Sequence, residues 1–137
     1  MVNVNLTPGL EKRKANYVPM TPLDFLSRAA AIYPDKVGIV HGERRLTWGQ
    51  IHDRARALAS GLERMGVGYG EVVSIISPNT PAMIEAHFGV PGAGAVLNTI
   101  NIRLDAPTIA FILDHAETKV LLVDTAFAEV AKAALRF

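Results

Sequence analysis

Between Thr47 and Gly66 apolar residues recur three or four positions apart: Ile51, Ala55, Leu58, Ala59, Leu62 and Met65. That spacing lines one stripe of a helix. Thr47-Trp48-Gly49-Gln50 ahead of it has the spacing of a capping box, and Gly66 closes it. Val72-Val73-Ser74-Ile75-Ile76 shows no polar alternation. A short β-branched run of this kind predicts a strand buried on both faces. Similar signals recur along the chain. Thr21-Pro22-Leu23-Asp24 opens a helix that stops before Pro34, with a cap, then proline, then a carboxylate at the positive dipole end. Val37–His41 and Arg44–Thr47 flank Gly42-Glu43 and read as a hairpin.

Downstream, Thr80-Pro81 opens another helix, Ala95-Val96-Leu97 is a short strand, and Asp105 caps a helix over 106–116. Lys119–Val123 is a further apolar strand, and Ala126–Phe137 reads as a helix with no glycine cap after it. Strands separated by helices imply a parallel sheet with right-handed crossovers. The expected fold is therefore α/β: an N-terminal helix and hairpin, then alternating helices and mostly parallel strands. Residues 1–20, with Pro8-Gly9 and Pro19, read as an irregular arm ahead of a domain over 21–137. The uncapped last helix predicts a fragment of something longer, with strand edges and apolar surface left for the remainder of the chain or for a homodimer.

Composition changes this picture little. The 137 residues are 50% hydrophobic and 20% charged, which suits one ordinary core. A net charge of +1 offers no bulk attraction to nucleic acid or anionic membrane. No cysteine is present, which excludes disulfides, cysteine-ligated zinc and a cysteine nucleophile, and suits a cytoplasmic protein. Glu11-Lys12-Arg13-Lys14 is not followed by an apolar signal region, so the sequon Asn5-Leu6-Thr7 carries no weight. No run approaches the length of a membrane span.

Most candidate chemistry dissolves on its context. Gly66-Val67-Gly68-Tyr69-Gly70 follows a helix and precedes a strand, whereas a dinucleotide loop does the reverse, so it reads as a turn. Gly89, Gly92 and Gly94 suit close packing or helix termination, and Pro91 a kink or an end. His41, His52, His87 and His115 show no metal-binding spacing, and no G-x-S-x-G accompanies Asp114-His115. Trp48 reads as a packing anchor, and Arg44-Arg45 as a solvated turn. What remains is Asn98-Thr99-Ile100-Asn101-Ile102-Arg103-Leu104, after a strand and before a helix. That is the sheet edge where ligands collect in open α/β folds. Its amides and hydroxyls donate and accept, and Arg103 offers a planar fork for phosphate. A loop whose asparagines merely satisfy their own backbone is the competing reading.

The order of motifs resembles a known family. Leu46-Thr47-Trp48, then Ser77-Pro78-Asn79-Thr80-Pro81, then Gly92-Ala93-Gly94-Ala95-Val96, then Asn98–Leu104, is similar to the N-terminal part of the adenylate-forming (AMP-binding) enzymes. The stretches TPLDFLSRAA, SPNTPAM, GVPGAGAVLNTINIRLDAPTIAFILDH and KVLLVD resemble the acyl-activating branch, near the medium-chain fatty-acid and methylmercaptopropionate CoA ligases. The resemblance implies ATP, Mg2+ and CoA as cofactors, a carboxylic acid as substrate, and a two-step reaction. The carboxylate attacks the α-phosphate of ATP to give acyl-AMP and pyrophosphate, and the CoA thiol then displaces AMP.

The sequence departs from the family pattern in one large way. The Ser/Thr/Gly-rich phosphate loop, the Tyr-x-x-Thr-Glu segment, the hinge residue and the late catalytic lysine do not occur in these 137 residues. No catalytic residue can be placed, and the segment alone is expected to be inactive. The resemblance carries one residue across: Arg103 of Asn101-Ile102-Arg103-Leu104 is expected at CoA phosphate, with Asn101 and Asn98 as cofactor-side neighbours that shape the loop. An adenylating enzyme with another acceptor, or a non-enzymatic α/β binding module, are the alternatives.

Overall fold

The computed structural model describes residues 12–137. Helix α1 (Pro22–Ile32) is followed by the hairpin β1 (Val37–His41) and β2 (Arg44–Thr47), then α2 (Trp48–Arg64). The alternating part runs β3 (Val72–Ile76), α3 (Pro81–Gly92), β4 (Val96–Ile100), α4 (Ala106–His115) and β5 (Thr118–Val123). A 3-10 turn (Thr125–Phe127) leads into α5 (Ala128–Ala134). The antiparallel hairpin forms its own two-stranded sheet, while β4-β3-β5 pair in parallel with β3 central. The α/β reading of the sequence is borne out.

The sheet's two faces are covered differently. On one, Val73 and Ile75 pack with Leu62, Met83, Ala86 and Val90 of α2 and α3. On the other, Ile76 and Ile100 pack with Ile109 and Leu113 of α4 and Ala131 and Ala134 of α5. Period-two alternation of a strand sends neighbouring residues to opposite faces, and β3 feeds both cores. The hairpin, α1 and α2 enclose a third cluster of Leu26, Ile39, Leu46, Ile51 and Ala55, against which Trp48 packs. A Cβ at Gly38 would stand 2.9 Å from the Trp48 ring, so the indole needs a glycine opposite it. At Gly89 a Cβ would meet the Ala55 carbonyl oxygen at 2.9 Å, which is how closely α2 and α3 approach.

Four local expectations change. Strand β4 runs over 96–100 rather than 95–97, so Asn98 and Thr99 belong to the sheet and the loop begins at Asn101. Parallel pairing of β4 with β3 in register from Val72↔Val96 to Ile76↔Ile100 overrides the polar residues' preference for a loop. Met65 ends the α2 stripe but is 63% exposed, because it caps the helix where the chain turns away. Thr80 holds the N-cap position of α3, yet its hydroxyl pairs with Ser77 Oγ at 3.1 Å instead of capping. The terminal helix is a 3-10 turn followed by a shorter α5. Pro8-Gly9 and the sequon lie outside the described residues.

Candidate functional site

The carboxyl ends of β3 and β4 open into a cleft of about 490 Å3. Ser77, Pro78 and Asn79 line one side, Thr99, Asn101 and Ile102 the other, with Met83 beneath. Beside it the loop after β4 is built by alternation. Ile102 and Leu104 pack inward on the core that contains Ile76, Ile100 and Ile109. Asn101 and Arg103 between them stay exposed. Asn101 Oδ1 accepts from the Arg103 backbone N–H at 3.0 Å, and the Asn101 carbonyl accepts from Leu104 N–H at 3.3 Å. This is the side-chain-to-backbone turn that asparagine favours. Asp105 then caps α4, accepting from Thr108 N–H at 3.1 Å. The Thr108 hydroxyl and backbone N–H together hold the Asp105 carboxyl below its ordinary range.

The three candidate residues thus separate. Arg103 is exposed, and among the described residues its guanidinium has no hydrogen-bond or ion-pair partner. Asn101 shapes the turn that presents it and also lines the cleft. Asn98 lies inside β4 and donates through Nδ2 to Ser74 Oγ at 2.9 Å. Sequence reasoning passed over Ser77 and Asn79 as cleft residues, although Ser77-Pro78-Asn79 directly follows a buried strand. It also missed Glu85, whose carboxylate is buried and takes Arg54 Nε and Nη2 at 2.5 and 3.0 Å, pairing α3 with α2. That contact raises the Arg54 pKa through the hydrogen bond to Glu85. A lone carboxylate in the mostly apolar PAMIEAHFGV was the available signal. A second cleft, of about 260 Å3, lies at the same edge toward β5, between Ser77, Glu85, Leu122 and Asp124.

None of the four histidines joins these clefts. His87 Nδ1 sits 2.8 Å from the Met83 carbonyl, and His115 stacks on Phe111 with centroids 5.7 Å apart. Among the described residues no three histidine, aspartate or glutamate side chains converge on a metal site.

The family model of the AMP-binding enzymes matches residues 26–136. The chain belongs to the AMP-binding enzyme family. This chain is 53% identical over 127 residues to the peroxisomal acetate/butyrate–CoA ligase of Arabidopsis thaliana, covering 93% of this chain and 22% of that protein. It is 49% identical over 122 residues to the peroxisomal benzoate–CoA ligase of the same plant, covering 89% and 21%. Among solved structures, the anthranilate CoA ligase AuaEII, in complex with anthranoyl-AMP, superposes with a TM-score of 0.83 at 25% identity. That match covers 90% of this chain and 24% of the other. The chain spans about a fifth of the length of the curated relatives it matches. No helix among the described residues is long and apolar enough to cross a membrane.

Proposed function

We propose that this chain is the N-terminal portion of an AMP-forming acyl-CoA ligase. Its substrate is a short- or medium-chain fatty acid or a related carboxylic acid, converted through acyl-AMP to the CoA thioester. The observation carrying this reading is the extent of the match: about half of all positions agree, across nearly the whole chain, with proteins named as CoA ligases. The acids in those names range from acetate to benzoate, so this portion does not discriminate among them. ATP and Mg2+ belong to the first step, and the groups that handle them lie outside this segment.

CoA is where this segment contributes. Arg103 stands at the carboxyl edge of the sheet as an exposed guanidinium, and a phosphate group of CoA would take its fork bidentately. Asn101 holds the turn beneath it. In the full-length enzyme, Arg103→Ala is expected to raise the CoA KM about tenfold or more, roughly 1.4 kcal/mol of lost binding. Carboxylate-dependent pyrophosphate exchange, which reports adenylation alone, is expected to continue. Collapse of that exchange would place Arg103 on the ATP side or in the scaffold. Formation of acyl-AMP with no CoA thioester would favour another acceptor. The sequence points to the cytoplasm, whereas the relatives named above are peroxisomal. Imaging of the full-length protein with both natural termini free decides the compartment, and light scattering tests a homodimer.

A further inference from the structure

Ser74 is the polar side chain inside the central strand, and it is wholly buried. Its Oγ accepts from Asn98 Nδ2 of β4 at 2.9 Å and lies 2.7 Å from Thr118 Oγ1 of β5. One hydroxyl thereby ties all three strands. Thr118 reaches it through an irregularity in pairing. The register runs Val72↔Thr118 and then Val73↔Val120, so Lys119 is the extra residue. Without that bulge Thr118 would share a face with Val120 and Leu122. With it, Thr118 falls on the face of Ser74 and Ile76.

We infer that the Asn98–Ser74–Thr118 ladder is a positioning device for the CoA-side loop, and that Asn98 acts through Arg103 rather than on the cofactor. The inference rests on the reading of Arg103 given above. The physical reason is register. A central strand apolar on both faces can slide by two residues and still bury apolar side chains. Such a slide of β4 would set Ser74 opposite Val96 or Ile100, leave its hydroxyl only Thr118 on β5, and strand the Asn98 amide opposite Val72 or Ile76. Ser74↔Asn98 pairing therefore selects one height for β4. The chain leaves the sheet two residues later, at Ile100, and the Asn101–Leu104 turn starts from that height. Asn98, read from sequence as a cofactor-side residue, becomes the group that sets where Arg103 stands.

The test uses Ser74→Ala, Asn98→Leu and the double variant, with two readouts. Removing the Ser74 hydroxyl and the Asn98 amide together leaves no amide stranded, and Thr118 is only half-buried, so the double variant should melt nearer the parent than Ser74→Ala alone. In 1H–15N spectra of the chain, the Asn101–Leu104 cross-peaks are expected to shift in both. In the full-length ligase, the CoA KM is expected to rise about fivefold, comparable with part of the Arg103 effect, and to stay raised in the stable double variant. In an Arg103→Ala background the double variant should add nothing. A CoA KM that recovers together with melting temperature would show that the ladder only stabilises, and would overturn the inference. Unmoved 101–104 cross-peaks would overturn it too. If Arg103→Ala itself leaves the CoA KM unchanged, the functional reading fails separately. The cross-peaks then judge the ladder alone, shifted peaks supporting it and unmoved peaks sinking it.

Discussion

The two ends of the three-stranded sheet are closed by short turns of different material, glycine and charge at the amino end, asparagine, aspartate and an arginine at the carboxyl end, and they are finished differently. At the amino end several polar groups pair with one another across the turns. Glu71 accepts from Gly68 N–H and from Lys119 Nζ, and Gly70 N–H reaches the Gly94 carbonyl at 2.9 Å. Positive φ values at Gly66, Gly70, Gly94 and Glu117 tighten the turns there. At the carboxyl end the backbone is satisfied by Asn101 and Asp105, while the Arg103 guanidinium is left over beside an open cleft. Side chains paired within a turn hold its shape, whereas the exposed Arg103 guanidinium, carried on a backbone already satisfied, is free to serve the contact proposed above.

That contrast can be broken by substitutions at each end, scored for both stability and CoA KM. Gly94→Val should have the largest effect on stability. With φ +77° and the Tyr69 ring 3.1 Å from a new Cβ, a β-branched residue should lose about 2 kcal/mol in denaturant melts. The CoA KM should not move, and a change would mean that the amino end also serves the site.

Asp105→Ala comes next, removing the cap of α4 immediately after Leu104. It should lower the melting temperature and, unlike Gly94→Val, raise the CoA KM, because the turn and the helix start share a backbone. Asp105→Asn sharpens the point, since asparagine caps nearly as well but does not titrate. The folded Asp105 pKa is lowered, so its contribution is fully present above the ordinary carboxylate range. It is lost as pH falls through the folded value. Glu71, held low by Gly68 N–H and then by Lys119, and Asp24, held low by Thr21, behave alike. An acid melt should therefore be shallower for Asp105→Asn than for the parent, and identical curves would remove Asp105 from the account.

Glu117→Gly is a smaller change of opposite sign. Glu117 carries φ +51° between α4 and β5, and glycine there should add about 0.5–1 kcal/mol. Lys119→Ala should have the smallest effect, near the scatter of a thermal melt, because its pairing with Glu71 is solvent-exposed. A large loss from it would mean that the bulge at Lys119, rather than the ion pair, depends on this side chain.

Much of this architecture was legible in the linear pattern. Helix starts at Thr21, Thr47 and Asp105, the hairpin around Gly42, and the doubly buried strand over Val72–Ile76 all follow from spacing, because they are decided by residues within one or two turns of each other. The boundary of β4 was not legible. Asn98 and Thr99 look like loop residues until a partner strand supplies Ser74 and a ladder of backbone bonds. Nor was the Arg54–Glu85 pair, since its members lie 31 residues apart.

The sequence by itself determined the order and kind of elements, the α/β class and the presence of one polar segment with an arginine after a strand's end. Tertiary structure alone decided which polar residues of that segment face the core and which face the cleft. The reason is parity and register: a shift of one residue in a strand exchanges its faces, and that choice is made by the partner strand. Ser74, 24 residues before Asn98 and 44 before Thr118, makes it here.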